Sequence, residues 1–409
     1  MAGLRPFVFA ALCLFGVASA FAVERPAGTQ PSPLRQATPP TPQAKTPPSP
    51  QPFIAEDKEK ANQNTVSIVG SGTASIYTRL AEDIFQVLDD PNNNEIRILP
   101  IIGRGGAHNM FDLLNLRGID MGMTDDTMLD HYKTLDPKKY GNIDQRVHYI
   151  AKLVNAEMHV VARKEIKDMR DLRGKKVGFY QKGSVTAIVA KDLFEMLDIP
   201  VEPMFLHQEE ADKALKAGEI SAALRIVSAP MPFIQKFKKD DNLHLLPIDS
   251  ALPGFDKIRY KYLPAQIKQE HYPGLIPEGE NISTIANAIM LAVYAWPENT
   301  ERYRKIANFV NRFFDNIDKF MLDPRHPKWR EINLAAEVPG WKRFKPAQAW
   351  LNANKSRLST MGNIRPAFET FARDHAQANG QKAMSSQQSE ALTSEFMQWW
   401  DQKKSANPR

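Results

Sequence analysis

One cysteine, Cys13, stands among 409 residues, and it falls in an N-terminal stretch that reads as a removable leader. Beyond that stretch the chain has no thiol, which excludes disulfides, Cys-ligated zinc, iron–sulfur clusters and cysteine nucleophiles. No later apolar run approaches the roughly 18 residues that mark a membrane-spanning helix. Neither sign of charge dominates: 53 Lys and Arg stand against 47 Asp and Glu. The basic residues are scattered, and Lys236-Phe237-Lys238-Lys239 runs directly into Asp240-Asp241. Nucleic acid is therefore not an expected partner. The signatures of catalysis are also missing. Gly70-Ser71-Gly72 leads to Ser75 and not to the third glycine of a dinucleotide loop. There is no Walker A loop, no Gly-x-Ser-x-Gly elbow, and no His-Glu-x-x-His pair among the nine His. The expectation is a non-enzyme without cofactor or metal. A hydrolase assembled from distant positions is the alternative left open.

What is present begins with a leader. Arg5 precedes an apolar segment, 6–17, and both Ala18-Ser19-Ala20 and Ala20-Phe21-Ala22 fit a small-x-small cleavage site. Residues 1–22 are read as a signal peptide and the mature protein as periplasmic. Residues 26–52 contain ten Pro among Ser, Thr, Gln and Ala. Such a segment has too little apolar side chain to offset the entropy of ordering, so 23–63 is read as an extended, disordered tether.

From residue 64 an α/β pattern takes over. Apolar runs at 66–69, 96–102 and 119–123 read as strands. The first two close at glycine loops and the third at Thr124-Asp125-Asp126. Helices follow, the first with Ser75 as N-cap and Ile76, Leu80, Ile84, Val87 and Leu88 at helical spacing. Strand–loop–helix units in succession predict parallel pairing with right-handed crossovers. The pattern then restarts. Strands are expected at 158–162, 175–179, 221–227 and 243–248, a helix after Ser184, and another over 209–217 closed by Gly218. The apolar run 282–294 reads as a strand returning to the first lobe, and Trp296-Pro297-Glu298 as the start of a helix. The fold class is thus α/β, with two lobes and a C-terminal helical extension. Its expected parts are lobe 1 over 64–162, lobe 2 over 163–284, a return strand and helix over 285–320, and the extension over 321–409. A cleft is expected at the carboxyl ends of the strands.

Three loops carry the binding argument. Gly70, Ser71, Gly72 and Thr73 form the first, Gly103 to Ala107 the second with Arg104, Gly105 and Gly106, and Gly183, Ser184 and Thr186 the third. Glycine permits close backbone approach and positive φ, and each loop opens a helix whose first N–H groups and dipole favour an anion. Alone, each is an ordinary βα turn; converging on one cleft, the three would form an anion cradle. Arg104 and Arg225 are candidates for gripping a carboxylate through their planar donor fork, with a structural ion pair as the plain alternative for each. Asp125 and Asp126 either face the same cleft or cap a helix. Asp125 beside the arginines would suit a zwitterion such as an acidic amino acid; otherwise a dicarboxylate or oxo-acid fits better. Tyr77 and Tyr180 are further candidate contacts, Tyr77 equally a core residue. His108 reads as a hydrogen-bonding or surface residue.

The ordered motifs resemble the TAXI (TRAP-associated extracytoplasmic immunogenic) family of solute-binding proteins. They run from Ser67-Ile68-Val69-Gly70-Ser71-Gly72-Thr73 with Tyr77 through Gly105-Gly106-Ala107-His108-Asn109 and Gly118-Ile119-Asp120-Met121-Gly122 with Asp125. They continue with His159-Val160-Val161-Ala162-Arg163, Asp171-Leu172-Arg173-Gly174-Lys175-Lys176-Val177, Gly183-Ser184-Val185-Thr186 and Lys216-Ala217-Gly218-Glu219-Ile220. The last are Leu245-Leu246-Pro247-Ile248-Asp249, Leu263-Pro264-Ala265 and Tyr272-Pro273-Gly274. The resemblance implies a periplasmic receptor of two-lobed, type II periplasmic-binding-protein-like fold that captures a small organic solute and hands it to the membrane subunit of a TRAP transporter. Taken with the loops and arginines, the expected solute is a small organic anion or acidic amino acid bearing a carboxylate, and the protein is expected to be a monomer. A binding component of an ATP-driven importer or of a signalling receptor is the alternative. Five of six Trp lie past residue 320, at 329, 341, 350, 399 and 400. They are expected either to pack the extension onto the lobes or to offer a docking surface.

Overall fold

The computed structural model describes residues 59–358 apart from 60, 74 and 91–94. The expected leader, the Pro-rich residues 26–52, Trp399 and Trp400 lie outside the described residues, as does a final helix expected from the spacing of Leu392, Phe396 and Trp399. Within the stretch assigned to the tether, residues 61–63 are helical, and the Thr65 hydroxyl donates to Ala61 O at 2.6 Å. Regular structure therefore begins before residue 64.

Ten strands form one mixed sheet. β1 (Thr65–Val69), β2 (Arg97–Ile101) and β3 (Met121–Asp125) pair in parallel, as do β5 (Lys176–Gly178), β6 (Glu202–Met204) and β7 (Ala222–Val227). Two long strands join these parallel blocks: β4 (Val147–Arg163) and β10 (Asn281–Tyr294). The order is β2-β1-β3-β10-β4-β7-β5-β6, with β8 (Leu243–Leu245) on β4 and β9 (Leu263–Lys268) on β10. Along β10, Ile289–Val293 pairs with β3, and Asn281–Ala286 with β9. Along β4, the residues up to Glu157 pair with β10 and those from Glu157 with β7. Both strands thus cross between lobes near Glu157 and Ala286, all antiparallel to their neighbours.

Several boundaries differ from the sequence reading. The expected strand 158–162 is the end of a strand that starts at Val147. Its half-exposed residues His148, Lys152 and Asn155 break the alternation of a strand. The cause is two register shifts against β10, at Ile289/Met290 and Leu291/Ala292, where β4 carries an extra residue each time. The helix expected from Trp296 starts at Glu301. Pro297 opens a turn, and Thr300 Oγ1 accepts the Tyr303 N–H at 3.2 Å, satisfying a first-turn donor and setting the true start.

Helices cover the sheet where periodicity predicts. In α1 (Ile76–Leu88), Ile76, Leu80, Ile84 and Leu88 recur every four residues and are buried. The helices α2 (Gly106–Asn115), α3 (Val185–Met196) and α4 (Gln208–Ala217) follow β2, β5 and β6. α5 (Glu301–Asp315) buries Phe309, Val310, Phe313 and Phe314 against lobe 1. The described part of the extension packs there too. Trp329 is fully buried against Phe313 and Phe320, and its Nε1 donates to Asp83 Oδ2 at 2.8 Å. Trp350 Nε1, on α6 (Lys345–Ala353), donates to Asp315 Oδ1 at 3.0 Å. Packing on lobe 1 accounts for these two aromatics. Among the described residues no helix is long and apolar enough to cross a membrane.

Candidate functional site

The strand order brings the carboxyl ends of β1, β2 and β3 opposite those of β5 and β7, around a cavity of about 660 Å³. From lobe 1 the wall includes Ser71, Gly72, Thr73, Tyr77, Arg104, Gly105, Gly106 and Asp125; from lobe 2 it includes Tyr180, Ser184, Thr186 and Arg225. Gly70 and Gly183 do not line it. A Cβ on Gly70 would sit 2.9 Å from Thr78 Oγ1, so this glycine makes room for the start of α1. Gly183 has φ +79°, and a Cβ there would lie 3.2 Å from the His108 ring of the opposite lobe.

One buried side chain aligns the lobe 1 loops. Asn109 Nδ2 donates to Gly70 O and Met123 O, both at 2.7 Å, and to Val69 O at 3.3 Å. Its Oδ1 accepts the Gly105 N–H at 3.0 Å. Asn109 therefore ties together the ends of β1 and β3 and the loop after β2. Many of the loop amides are consumed in this bracing. Gly70 N donates to Ile101 O at 2.8 Å and Ser71 N to Thr78 Oγ1 at 3.0 Å. Ser75 and Ser184 cap α1 and α3 by accepting Tyr77 N and Ala187 N. α2, by contrast, starts at Gly105 with no side-chain cap. Three helix starts converge on the cavity, and of these α2 alone lacks a side-chain cap.

The lobes meet across this cavity. Gly106, at φ +41°, faces Val185 so closely that a Cβ would lie 2.2 Å from Val185 Cγ2. Gly106→Ala should therefore lower stability by about 1–3 kcal/mol through strain at positive φ and collision with Val185. Denaturant unfolding measures this. The double variant Gly106→Ala/Val185→Ala should regain the collision part, and no recovery would show that the lobes do not meet at this point.

The two arginines, alike in sequence, differ in space. Arg104 has a 65% exposed side chain at the rim, with Asp112 Oδ1 at 3.8 Å. Of the two candidate clamps, both of which line the cavity, one is a rim residue and the other is buried. Arg225, on β7, is 3% exposed. Its Nε donates to Gln208 Oε1 and its Nη1 to Leu224 O, while Nη2 has no hydrogen-bond partner among the described residues. The Tyr180 ring lies 5.3 Å from the guanidinium carbon. Burial lowers the Arg225 pKa to about 10, so it remains a cation at neutral pH. Gln208, at the start of α4, was not singled out in the sequence. It passes Arg225's orientation back to Asp212, donating from Nε2 to both carboxylate oxygens at 2.8 and 3.0 Å. Thr186 Oγ1 accepts the Ile226 N–H at 3.1 Å and holds α3 to β7.

Asp125 and Asp126 separate as well. Asp125, the last residue of β3, is fully buried at the cavity wall, and Tyr77 Oη donates to its Oδ2. Asp126 turns away: Asn287 and Thr127 lie on its far side, and Trp341 Nε1 donates to its carbonyl at 2.8 Å. Neither caps a helix; the N-cap of the next one is Thr127. His108, read as a surface or hydrogen-bonding residue, lines the cavity with a buried, unpartnered Nδ1, and burial lowers its pKa. Apolar wall comes from Met231 and Phe233, which lie beyond β7 and carried no signal in the sequence.

A mixed sheet shared by two lobes, with a cavity at its strand ends, is a two-lobed α/β architecture of the kind expected from the sequence. The chain belongs to the NMT1-like family, whose profile matches residues 68–334. It is also similar to the periplasmic aliphatic sulphonate binding protein SsuA from Escherichia coli, at 16% identity over 71% of this chain and 78% of that one, TM-score 0.38. The CA3427 gene product of Candida albicans is 11% identical over 70% and 80%, TM-score 0.40. A periplasmic transporter is 11% identical over 73% and 95%, TM-score 0.42. Likenesses this distant say nothing about what the cleft holds.

Proposed function

We propose that the protein is a periplasmic solute receptor that closes its two lobes on a small organic anion and releases it to a TRAP-type secondary transporter. The observation that carries this reading is Arg225: a buried cation whose Nη2 has no partner, at the wall of a 660 Å³ cavity. An unpaired buried donor is costly, and an oxyanion would satisfy it. The uncapped start of α2 favours the same charge. The contacts of Gly106 with Val185 and of Gly183 with His108 support a closed form that an incoming ligand would select. The TRAP partner rests on the motif resemblance to the TAXI family. A thermal-shift panel of dicarboxylates, oxo-acids, amino acids, aromatic acids and sulfonates tests the reading. A true ligand at 100 times its Kd should stabilise by about 2.7 kcal/mol. No shift with any anion would end it. Copurification with a TRAP membrane subunit tests the partner.

A further inference from the structure

Asp125 is a second buried polar group at the same wall, and its chemistry is opposite to that of Arg225. It is 0% exposed, and among the described residues no cation pairs with it. Tyr77 Oη donates to Oδ2, which leaves Oδ1 with no partner in the fold. A lone carboxylate in such a place is expensive, whereas a carboxylic acid is not, and the acid form has a hydroxyl to donate. The groups facing it agree. Tyr77 comes from α1 and is itself buried; its own pKa is raised by burial and by Asp125. Asp126 comes directly after the strand, held near Asn287 of β10 and under the field of Lys152 on β4. β10 places the apolar Ile289 opposite Asp125. Around the cavity stand Arg104 and His108 from the same lobe and Arg225 and Lys182 from the opposite one. Burial, then Asp126, raise the Asp125 pKa to about 8 against the lowering effect of the Tyr77 hydrogen bond.

We propose that Asp125 acts as a neutral acid, donating its Oδ1 hydroxyl to a second oxygen of the solute, so that the cleft selects molecules with two oxygen acceptor groups, a dicarboxylate or a 2-oxo acid, over amino acids. This rests on the receptor reading above, with Arg225 taking the first oxyanion. An ammonium group would find no counter-charge at Asp125. Ionising Asp125 removes the donor and sets a negative charge against the ligand oxygen, so affinity must fall as the pH rises. Asp126, raised chiefly by burial to about 6, is ionised above pH 7, and Arg225 stays charged to pH 9. The window from pH 7 to 9 therefore reports Asp125.

Isothermal titration of succinate, 2-oxoglutarate and glutamate at pH 7 and pH 9 tests the assignment on the wild-type chain. For a proton bound at about pH 8, the affinity for succinate or 2-oxoglutarate should fall roughly tenfold across that window, and glutamate should bind more weakly than either at pH 7. Asp125→Asn keeps a donor that does not ionise, so its affinity should be flat between pH 7 and 9. Wild-type affinity that is unchanged, or that rises with pH as an ammonium ligand would require, overturns the proposal while leaving the receptor reading intact. Binding of none of the three at either pH, with a positive thermal shift for another anion, also overturns the two-oxygen assignment alone. No binding of any anion overturns both. Should Asp125→Asn fail to fold, the wild-type pH profile decides.

Discussion

Arg225→Ala should weaken binding of the tightest anion by about 2–4 kcal/mol while leaving the empty protein as stable as before, or more so. The sign follows from burial. In the empty cleft the guanidinium sits desolvated with Nη2 unpartnered, held by Gln208 Oε1 and Leu224 O. Removing it relieves the desolvation of the guanidinium in the empty state, against the loss of its hydrogen bonds to Gln208 and Leu224, and deletes the main counter-charge in the filled one. A substitution that only damaged the fold would lower the melting temperature with and without ligand. Arg225→Lys separates charge from geometry. It keeps the cation but loses the fork that addresses two oxygens, so it should recover only part of the affinity. Calorimetry on both variants measures the effect. An Arg225→Ala protein that binds as tightly as the wild type would remove this residue from the site.

The largest effect on stability should come from Lys328→Met. Lys328 lies in the segment Pro327–Glu331, and its Nζ pairs with Glu157 Oε1 at the point where β4 crosses between lobes. Both residues are buried, and burial raises the Glu157 pKa. Glu157 Oε2 accepts the Ala229 N–H at 2.9 Å, so one carboxylate links the extension, the crossing strand and the segment after β7. Losing Lys328 leaves that carboxylate buried without its cation, which typically costs about 3–5 kcal/mol. Equilibrium denaturation should show this in Lys328→Met, and the double variant Glu157→Gln/Lys328→Met should regain most of it, because no charge is then stranded. A loss under about 1 kcal/mol in the single variant would mean that water reaches the pair and that its desolvation is small. The location adds a functional consequence. The pair borders the crossover, so the single variant should also alter how readily the lobes close.

Much of the fold was legible where a feature is local. Ser75 and Ser184 announce helix starts because each cap satisfies an N–H two or three residues away. Gly218 marks a helix end because the αL turn at φ +78° suits glycine. The apolar runs of β1 and β7 stand out because both faces of these strands are covered. The first eleven residues of β4 are hidden because two extra residues in its ladder scramble the alternation that marks a strand. The helix start near Trp296 was misjudged because a proline at a turn resembles a proline at a first helical position.

The candidate site divides along the same line. Sequence alone determined that glycine loops open helices at the ends of successive strands, and that twelve of the residues named from those loops and their neighbours belong to one stretch of cavity wall follows from the order of strands. What only the tertiary structure decided is the electrostatic character of each group. Arg104 and Arg225 read alike in the chain, yet one is hydrated at the rim and the other is desolvated beneath Tyr180. Asp125 and Asp126 are adjacent, yet one meets Tyr77, 48 positions away in sequence, and the other turns toward Asn287. Asn109 and Gln208 carry no local mark of their roles, because bracing three carbonyls or orienting a guanidinium depends on backbone brought near by long-range pairing. Desolvation is the physical reason: the cost of a charge depends on everything that displaces water around it, and that is a property of packed neighbours.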